Sequence, residues 1–263
     1  SFALNNIDGG YINSLLVIDF NKDLAVNDFN ITGKIKNTNI KIKDKVNTKE
    51  VNFSFSANKN SVSINLLKAN FNEIKIENGT IDVIKNKKLF VKGSFDTNIN
   101  FDESNLIKNP VLDFKKISKK NKINIKGGFL NTFNFNLSET LEVLDYNYGV
   151  EGIFNEAQII LESDIENLFL KNKIKKLKFS NIKLKYKINK NKNLLFLEGD
   201  YKTNNSNKFD KLKLTTDFRK KNLSYNIDLT SSEQFVLNLI NYKSPKETTS
   251  RIESLITVNK NGV

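Results

Sequence analysis

The chain has 263 residues, 38% hydrophobic and 27% charged, with 20 Phe and 7 Tyr, which is enough apolar material for a folded core and excludes intrinsic disorder. It contains no Cys, no His, no Met and no Trp, so disulfides, thiolate nucleophiles, zinc–cysteine sites and the commonest general base are absent together. The net charge of +13 comes from 42 basic residues, of which only Arg219 and Arg251 are Arg, alongside 43 Asn; Lys spread between apolar positions reads as a solvated face, whereas nucleic-acid readers favour bidentate Arg.

Period-two alternation dominates from residue 29 onward. In 39–43, Ile40 and Ile42 share one face and the Lys residues the other. Val51, Phe53, Phe55 and Ala57 alternate with Asn and Ser, as do Val62, Ile64 and Leu66. Ile74 and Ile76 precede Asn78-Gly79, and Ile81 and Val83 follow it. Both residues of an Asn-Gly pair tolerate positive φ, so this spacing predicts a hairpin turn. A second turn at Asn86-Lys87-Lys88 leads into Leu89 through Phe95, with Ile99 and Phe101 beyond.

Ile123 and Ile125 run to Gly127-Gly128, after which Phe133, Phe135 and Leu137 alternate with Thr132, Asn134 and Asn136. Residues 150–161 form a further strand region. Ile182, Leu184, Tyr186 and Ile188 alternate with Lys, and a turn over 189–193 leads to Leu195 and Leu197. Leu212, Leu214, Leu223, Tyr225, Ile227 and Leu229 complete the series. Turn signals every 8–12 residues or so are those of an all-β fold. Two short helices are expected: 102–107, capped by Asp102 and ended by Pro110, and 232–242, where Phe235, Val236, Leu239 and Ile240 have helical spacing ahead of Pro245.

A dozen strands with one apolar face pose a physical demand. Burial of each large side chain is worth about 1.5–3 kcal/mol, so something must cover that face. A second sheet, giving a sandwich, is one solution. A trough filled by lipid chains is the other, because helices are too few.

The order of elements carries a resemblance. The run 29–40, followed by 51–55, 62–66 and 69–83 with its Asn78-Gly79, resembles the repeating strand units of AsmA-like proteins. The step Lys108-Asn109-Pro110-Val111-Leu112, then Gly127-Gly128-Phe129 and Tyr148-Gly149-Val150, is similar to the succeeding layer in the large inner-membrane members. The resemblance spans about residues 29–218. It implies an all-β, mainly antiparallel fold: a long curved sheet forming an open groove, with one or two short helices, in two continuous layers over 1–118 and 119–263. It also implies a periplasmic protein anchored to the inner membrane by a segment outside this chain, carrying phospholipid between membranes or supporting outer-membrane assembly, without catalysis. A chain lacking Met is read accordingly as a piece of a longer protein, and zero Cys suits an oxidising compartment.

The expected lining of the groove is Ile40, Ile42, Phe53, Phe55, Ile64, Ile74, Ile76, Phe133 and Phe135, with phospholipid acyl chains as partners and Lys at the rim for anionic headgroups. No catalytic, cofactor or metal residues and no nucleic-acid partner are expected. The carboxylates Glu142 with Asp145, and Asp19 with Asp23, read as surface groups near turns. Asn52-Phe53-Ser54 and Asn136-Leu137-Ser138 match the glycosylation triplet, as this Asn frequency produces by chance. Tyr146 and Tyr148 read as sheet-packing residues. The alternative function is a structural or adhesive β-sandwich. A transmembrane barrel fits less well, since a Trp-free chain with scattered Phe shows no aromatic girdles.

Overall fold

A computed structural model describes residues 7–42, 46–71, 74–86, 88–102, 121–138, 140, 142–165, 171–219, 222–245 and 248–259. They are almost wholly β-strand: β1 (Ile7–Asp8), β2 (Tyr11–Phe20), β3 (Val26–Ile42), β4 (Val46–Asn58), β5 (Ser61–Phe71), β6 (Ile74–Lys85), β7 (Leu89–Phe101), β8 (Asn121–Leu137), β9 (Val143–Ile165), β10 (Ile174–Asn189), β11 (Lys192–Thr203), β12 (Asp210–Arg219), β13 (Asn222–Ser231), β14 (Val236–Leu237), β15 (Tyr242–Lys243) and β16 (Ser250–Asn259). Fourteen of them form one antiparallel sheet that does not close, in the order β1-β3-β4 and onward through β13 to β16, with β2 also on β3. β14 and β15 pair separately.

The expected all-β antiparallel class is therefore what the chain adopts. The expected helix over 232–242 is not. That segment is a two-stranded hairpin with a single 3-10 turn at Asn238–Ile240. Its ends are tied by Ser244 N–H to Phe235 O at 2.9 Å and by Phe235 N–H to Ser244 Oγ at 2.9 Å. Eleven residues with helical spacing cannot sustain a helix alone, and these local bonds satisfy the backbone instead. The other expected helix, 102–107, lies outside the described residues but for Asp102.

The chain divides into two units, Ser1–Ile99 with Phe129–Gly149, and Asn100–Gly128 with Val150–Val263. In the first, β1 and β2 continue one another along β3: Ile7 opposes Ile40 and Tyr11 opposes Lys36 in a single register. They form its outer edge. Asn side chains close the tight turns. Asn21 Oδ1 accepts from Asp23 and Ala25 N–H, and Asn58 Oδ1 from Asn60 and Ser61 N–H. Asn189 does the same for Asn191 and Lys192 in the second unit, at the expected turn. Part of the Asn excess is thus hairpin chemistry.

The expected hairpin at Asn78-Gly79 is absent. β6 runs straight through it, and Asn78, at φ 52°, forms a bulge between Glu77 and Thr80. Gly127-Gly128 likewise lies inside β8. Positive φ is what both a turn and a bulge demand, so the dipeptide cannot tell them apart. Bulges recur where Asn37 (φ 55°), Glu50 (φ 53°), Leu66 (φ 55°) and, in the second unit, Asn181 (φ 52°) break the register. Each shifts the parity of its strand by one. The apolar positions shift parity at the same places, from Ile31 and Ile35 to Ile40 in β3, and from Ile64 to Leu67 and Ala69 in β5.

Candidate functional site

Directly opposed residues in an antiparallel ladder point to the same face. In the first unit, Ile35 opposes Phe53, Phe55 opposes Ile64, Ile64 opposes Ile81, and Val83 opposes Val91. Beyond the bulges, Thr38 opposes Val51, Ala69 opposes Ile76, and Ile74 opposes Ile99. The Phe133 ring lies 6.2 Å from that of Phe95 and 5.5 Å from that of Phe135. Ile40, Phe53, Phe55, Ile64, Ile74, Ile76, Phe133 and Phe135 therefore share one face. Ile42 ends β3 opposite Val46, and its side chain lies outside the described residues. Leu66, expected on this face, occupies the bulge and is exposed, and Leu67 takes its place.

Sequence reasoning missed the glycines beneath these side chains. A Cβ on Gly33 would come within 2.8 Å of the Phe55 ring, one on Gly79 within 2.7 Å of Leu67 Cβ, and one on Gly93 within 2.6 Å of the Phe133 ring. In each case a neighbouring strand's side chain occupies the space that a Cβ on the glycine would need. This lowers the relief of the face and lets one layer of side chains shield its own backbone. The signal is a Gly in the apolar parity of a strand, informative only once the register is known.

One polar cluster interrupts the face. Asn131, 5% exposed, donates through Nδ2 to Thr97 Oγ1 at 3.0 Å and accepts the Tyr148 hydroxyl at 2.7 Å. Thr97 Oγ1 in turn donates to Phe129 O at 3.4 Å. These groups satisfy one another and pin β7, β8 and β9 in register. Tyr148 is thus a packing residue with a hydrogen-bonded tip.

The second unit repeats the pattern. Leu184 opposes Leu197, Leu197 opposes Leu214, Leu214 opposes Ile227, and Tyr225 opposes Ile256. Gly199 lies under Ile182, whose Cδ1 would be 2.7 Å from a Cβ there. The opposite face carries charge pairs. Arg251 grips Asp228 with two bonds, Nε to Oδ1 at 3.1 Å and Nη2 to Oδ2 at 2.9 Å, and also meets Glu253 at 2.8 Å. The guanidinium holds the Asp228 carboxyl below the usual range. Lys211 pairs with Asp200 at 2.5 Å. Where β11, β12 and β13 begin or end at one margin, the apolar face meets a buried polar group of Thr203, Asp210, Ser231 and Glu233. Glu233 accepts from Thr203, and Ser232 bonds Asp210 through its N–H at 2.9 Å and its hydroxyl at 2.5 Å. Tyr201 donates to Thr230 O at 2.9 Å, and burial pushes its hydroxyl up to about 12.

Cover for the apolar faces is thin. Among the described residues only Val51, Ala69, Phe101, Ile123, Phe129 and Ile182 are buried apolar side chains. The rest of each stripe keeps contact with solvent, and the only other sheet among the described residues is the two-residue pairing of β14 with β15. The edge strand β2 is exposed throughout, Leu15 at 65% and Ile12 at 61%.

The acidic pairs do local work. Asp19 accepts from Asn27 Nδ2 at 2.7 Å, and Asp145 accepts from the Tyr146 N–H at 2.9 Å. The Asn52 side chain bonds the backbone on both sides of the bulges, to Asn37 N–H and Glu50 O. No cluster of three His, Cys, Asp or Glu among the described residues is placed to hold a metal ion. No helix of the described residues is long and apolar enough to cross a membrane. The chain matches no family model, no curated protein and no solved structure.

Proposed function

We propose that this protein is a non-enzymatic lipid-binding module whose apolar sheet faces hold phospholipid acyl chains. The observation that carries the reading is the combination of continuous apolar faces and the absence, among the described residues, of a second sheet or a helix of comparable extent to cover them. Large apolar side chains left partly in water gain about 25 cal/mol per Å2 when hydrocarbon covers them, and acyl chains supply that cover without any specific chemistry. Phe53, Phe55, Phe133 and Phe135 offer adaptable aromatic contact in the first unit. The resemblance to AsmA-like proteins points the same way. On it rest a periplasmic location, anchorage to the inner membrane, and a role in moving phospholipid between membranes or in outer-membrane assembly. Lysines on the opposite face and at strand ends would meet headgroups and water.

The test is native mass spectrometry with lipid extraction after purification in mild detergent, joined to titration with a fluorescent fatty acid. Phospholipid at whole-number stoichiometry, and a probe displaced when Phe53 and Phe133 are replaced by Asp, are expected. A lipid-free, monodisperse protein that does not bind the probe overturns the proposal.

A further inference from the structure

The loops at one margin of the second unit share a composition that neither sheet face requires. Antiparallel order places the β9–β10 connection, the β11–β12 turn and the β13–β16 connection at the same strand ends. The last of these carries the β14–β15 hairpin. Its tip is apolar and open to solvent: Leu239 is 102% exposed and Ile240 71%, flanked by exposed Leu237 and Tyr242. Phe209, 47% exposed, adds a further apolar side chain from the neighbouring turn, with Lys202 Nζ 4.9 Å from its ring.

This tip is held rather than loose. Phe235 and Ser244 bond each other twice, Gln234 Nε2 donates to Ser244 O at 2.7 Å, and Lys171 N–H donates to Gln234 O at 3.2 Å. Glu233 and Ser232 root the base in the buried polar group at the sheet margin. Exposed Lys171, Lys208 and Lys243 lie at the same margin, one from each loop. Among the described residues of these three loops Glu233 is the one carboxylate, and it is buried; the connections also carry Glu166 and Glu247 in sequence, outnumbered by Lys171, Lys173, Lys208, Lys243 and Lys246.

We propose that this margin is a membrane-docking surface, inserting Leu237, Leu239, Ile240 and Tyr242 into the interface of an anionic bilayer while Lys171, Lys208 and Lys243 meet its headgroups. Apolar side chains ahead of a Tyr and a ring of cations are the pattern that partitions at a lipid surface. Each Lys near an anionic surface adds electrostatic attraction that salt screens. The proposal is separate from acyl-chain binding by the sheet faces, since either can fail while the other holds.

The chain has no Trp, so Leu239→Trp gives a single reporter at a position that packs against nothing. Mixed with vesicles of phosphatidylglycerol and phosphatidylcholine, this variant should shift its emission to shorter wavelength. Pure phosphatidylcholine vesicles should give a much weaker response, and added salt should reduce the first. Adding Ile240→Asp should weaken partition at least tenfold or so, from lost apolar burial alone. Lys208→Glu with Lys243→Glu should remove the preference for the anionic vesicles. No shift on anionic vesicles overturns the proposal. So does an equal shift on both compositions, or a concentration-dependent shift without vesicles, which would assign the tip to a second copy of the chain. Fatty-acid probe binding, measured on the same variants, should stay unchanged.

Discussion

Deleting Asn78 removes one residue from β6 at its bulge, and the register on either side dictates the consequence. Ile74 and Ile76 lie on the apolar face on one side of the bulge, and Ile81 and Val83 on the other. These positions differ in parity, even before the bulge and odd after it. Without the extra residue the strand alternates strictly, and Ile74, Ile76, Gly79, Ile81 and Val83 all keep the apolar face. A buried Ile or Val is worth about 1.5–3 kcal/mol. None of the four leaves the face, so that burial is not lost; the deletion gives up the local bend of the bulge and the exposed bond from Nδ2 to Asp96, about 1 kcal/mol. Asn78→Gly keeps the bulge and relieves a non-glycine residue of its positive φ. It loses only the exposed bond from Nδ2 to Asp96, so it should lie within about 1 kcal/mol of wild type. Urea denaturation of the three proteins, followed by far-ultraviolet circular dichroism, should give midpoints close together. A deletion variant that loses more than about 3 kcal/mol, as two displaced side chains would cost, would refute the idea that the bulge only reconciles the parity of the apolar positions.

Thr216 is buried at 2% exposure on the apolar face between Leu195 and Tyr225, and its hydroxyl has no hydrogen-bond partner. Thr216→Val keeps the shape and should raise stability by about 1–2 kcal/mol, read from the urea midpoint. Gly93→Ala would set a Cβ 2.4 Å from the Thr80 carbonyl oxygen as well as against Phe133; a backbone atom must yield, and a loss of about 1–3 kcal/mol is expected by the same measurement. Tyr201 has a folded pKa raised to about 12 from an ordinary 10.0, so its contribution is complete below pH 10 or so and is lost as pH climbs toward 12. Tyr201→Phe should cost about 0.5–1.5 kcal/mol at neutral pH through the bond to Thr230 O, and should flatten the alkaline limb of a stability–pH profile.

The strands and their apolar faces are legible in the sequence because alternation is local. Phe53 and Phe55, or Leu184 and Tyr186, declare their shared side without reference to any partner strand. Three features are not local. Asn78-Gly79 reads the same whether it reverses the chain or kinks it, and only the pairing of Glu77 with Asp96 and Thr80 with Ser94 decides. Gly33, Gly79, Gly93 and Gly199 acquire meaning from the side chain that the next strand lays over them. The edge strand β2 contains the unbroken apolar run Leu15-Leu16-Val17-Ile18, which offers no period to read. The hairpin over 232–245 was hidden for the opposite reason: Phe235, Val236, Leu239 and Ile240 carry a helical period, and the Phe235–Ser244 pairing overrides it.

In the ladders from β3 to β7 and from β10 to β12, every strand is bonded to its immediate predecessor and successor in the chain. Such a ladder has nearly one-dimensional energetics: each strand answers to its own propensity and to two interfaces, with no distant segment needed to complete it. Folding can then begin at any hairpin and spread by zipping, with short loops to close at each step. Unfolding should begin as fraying at the β1–β2 margin, so that a probe placed there reports loss ahead of the main transition. The same independence means that strands added or removed at a margin leave the inner interfaces unaltered, which makes the length of an apolar face a quantity that can change without redesign of the rest.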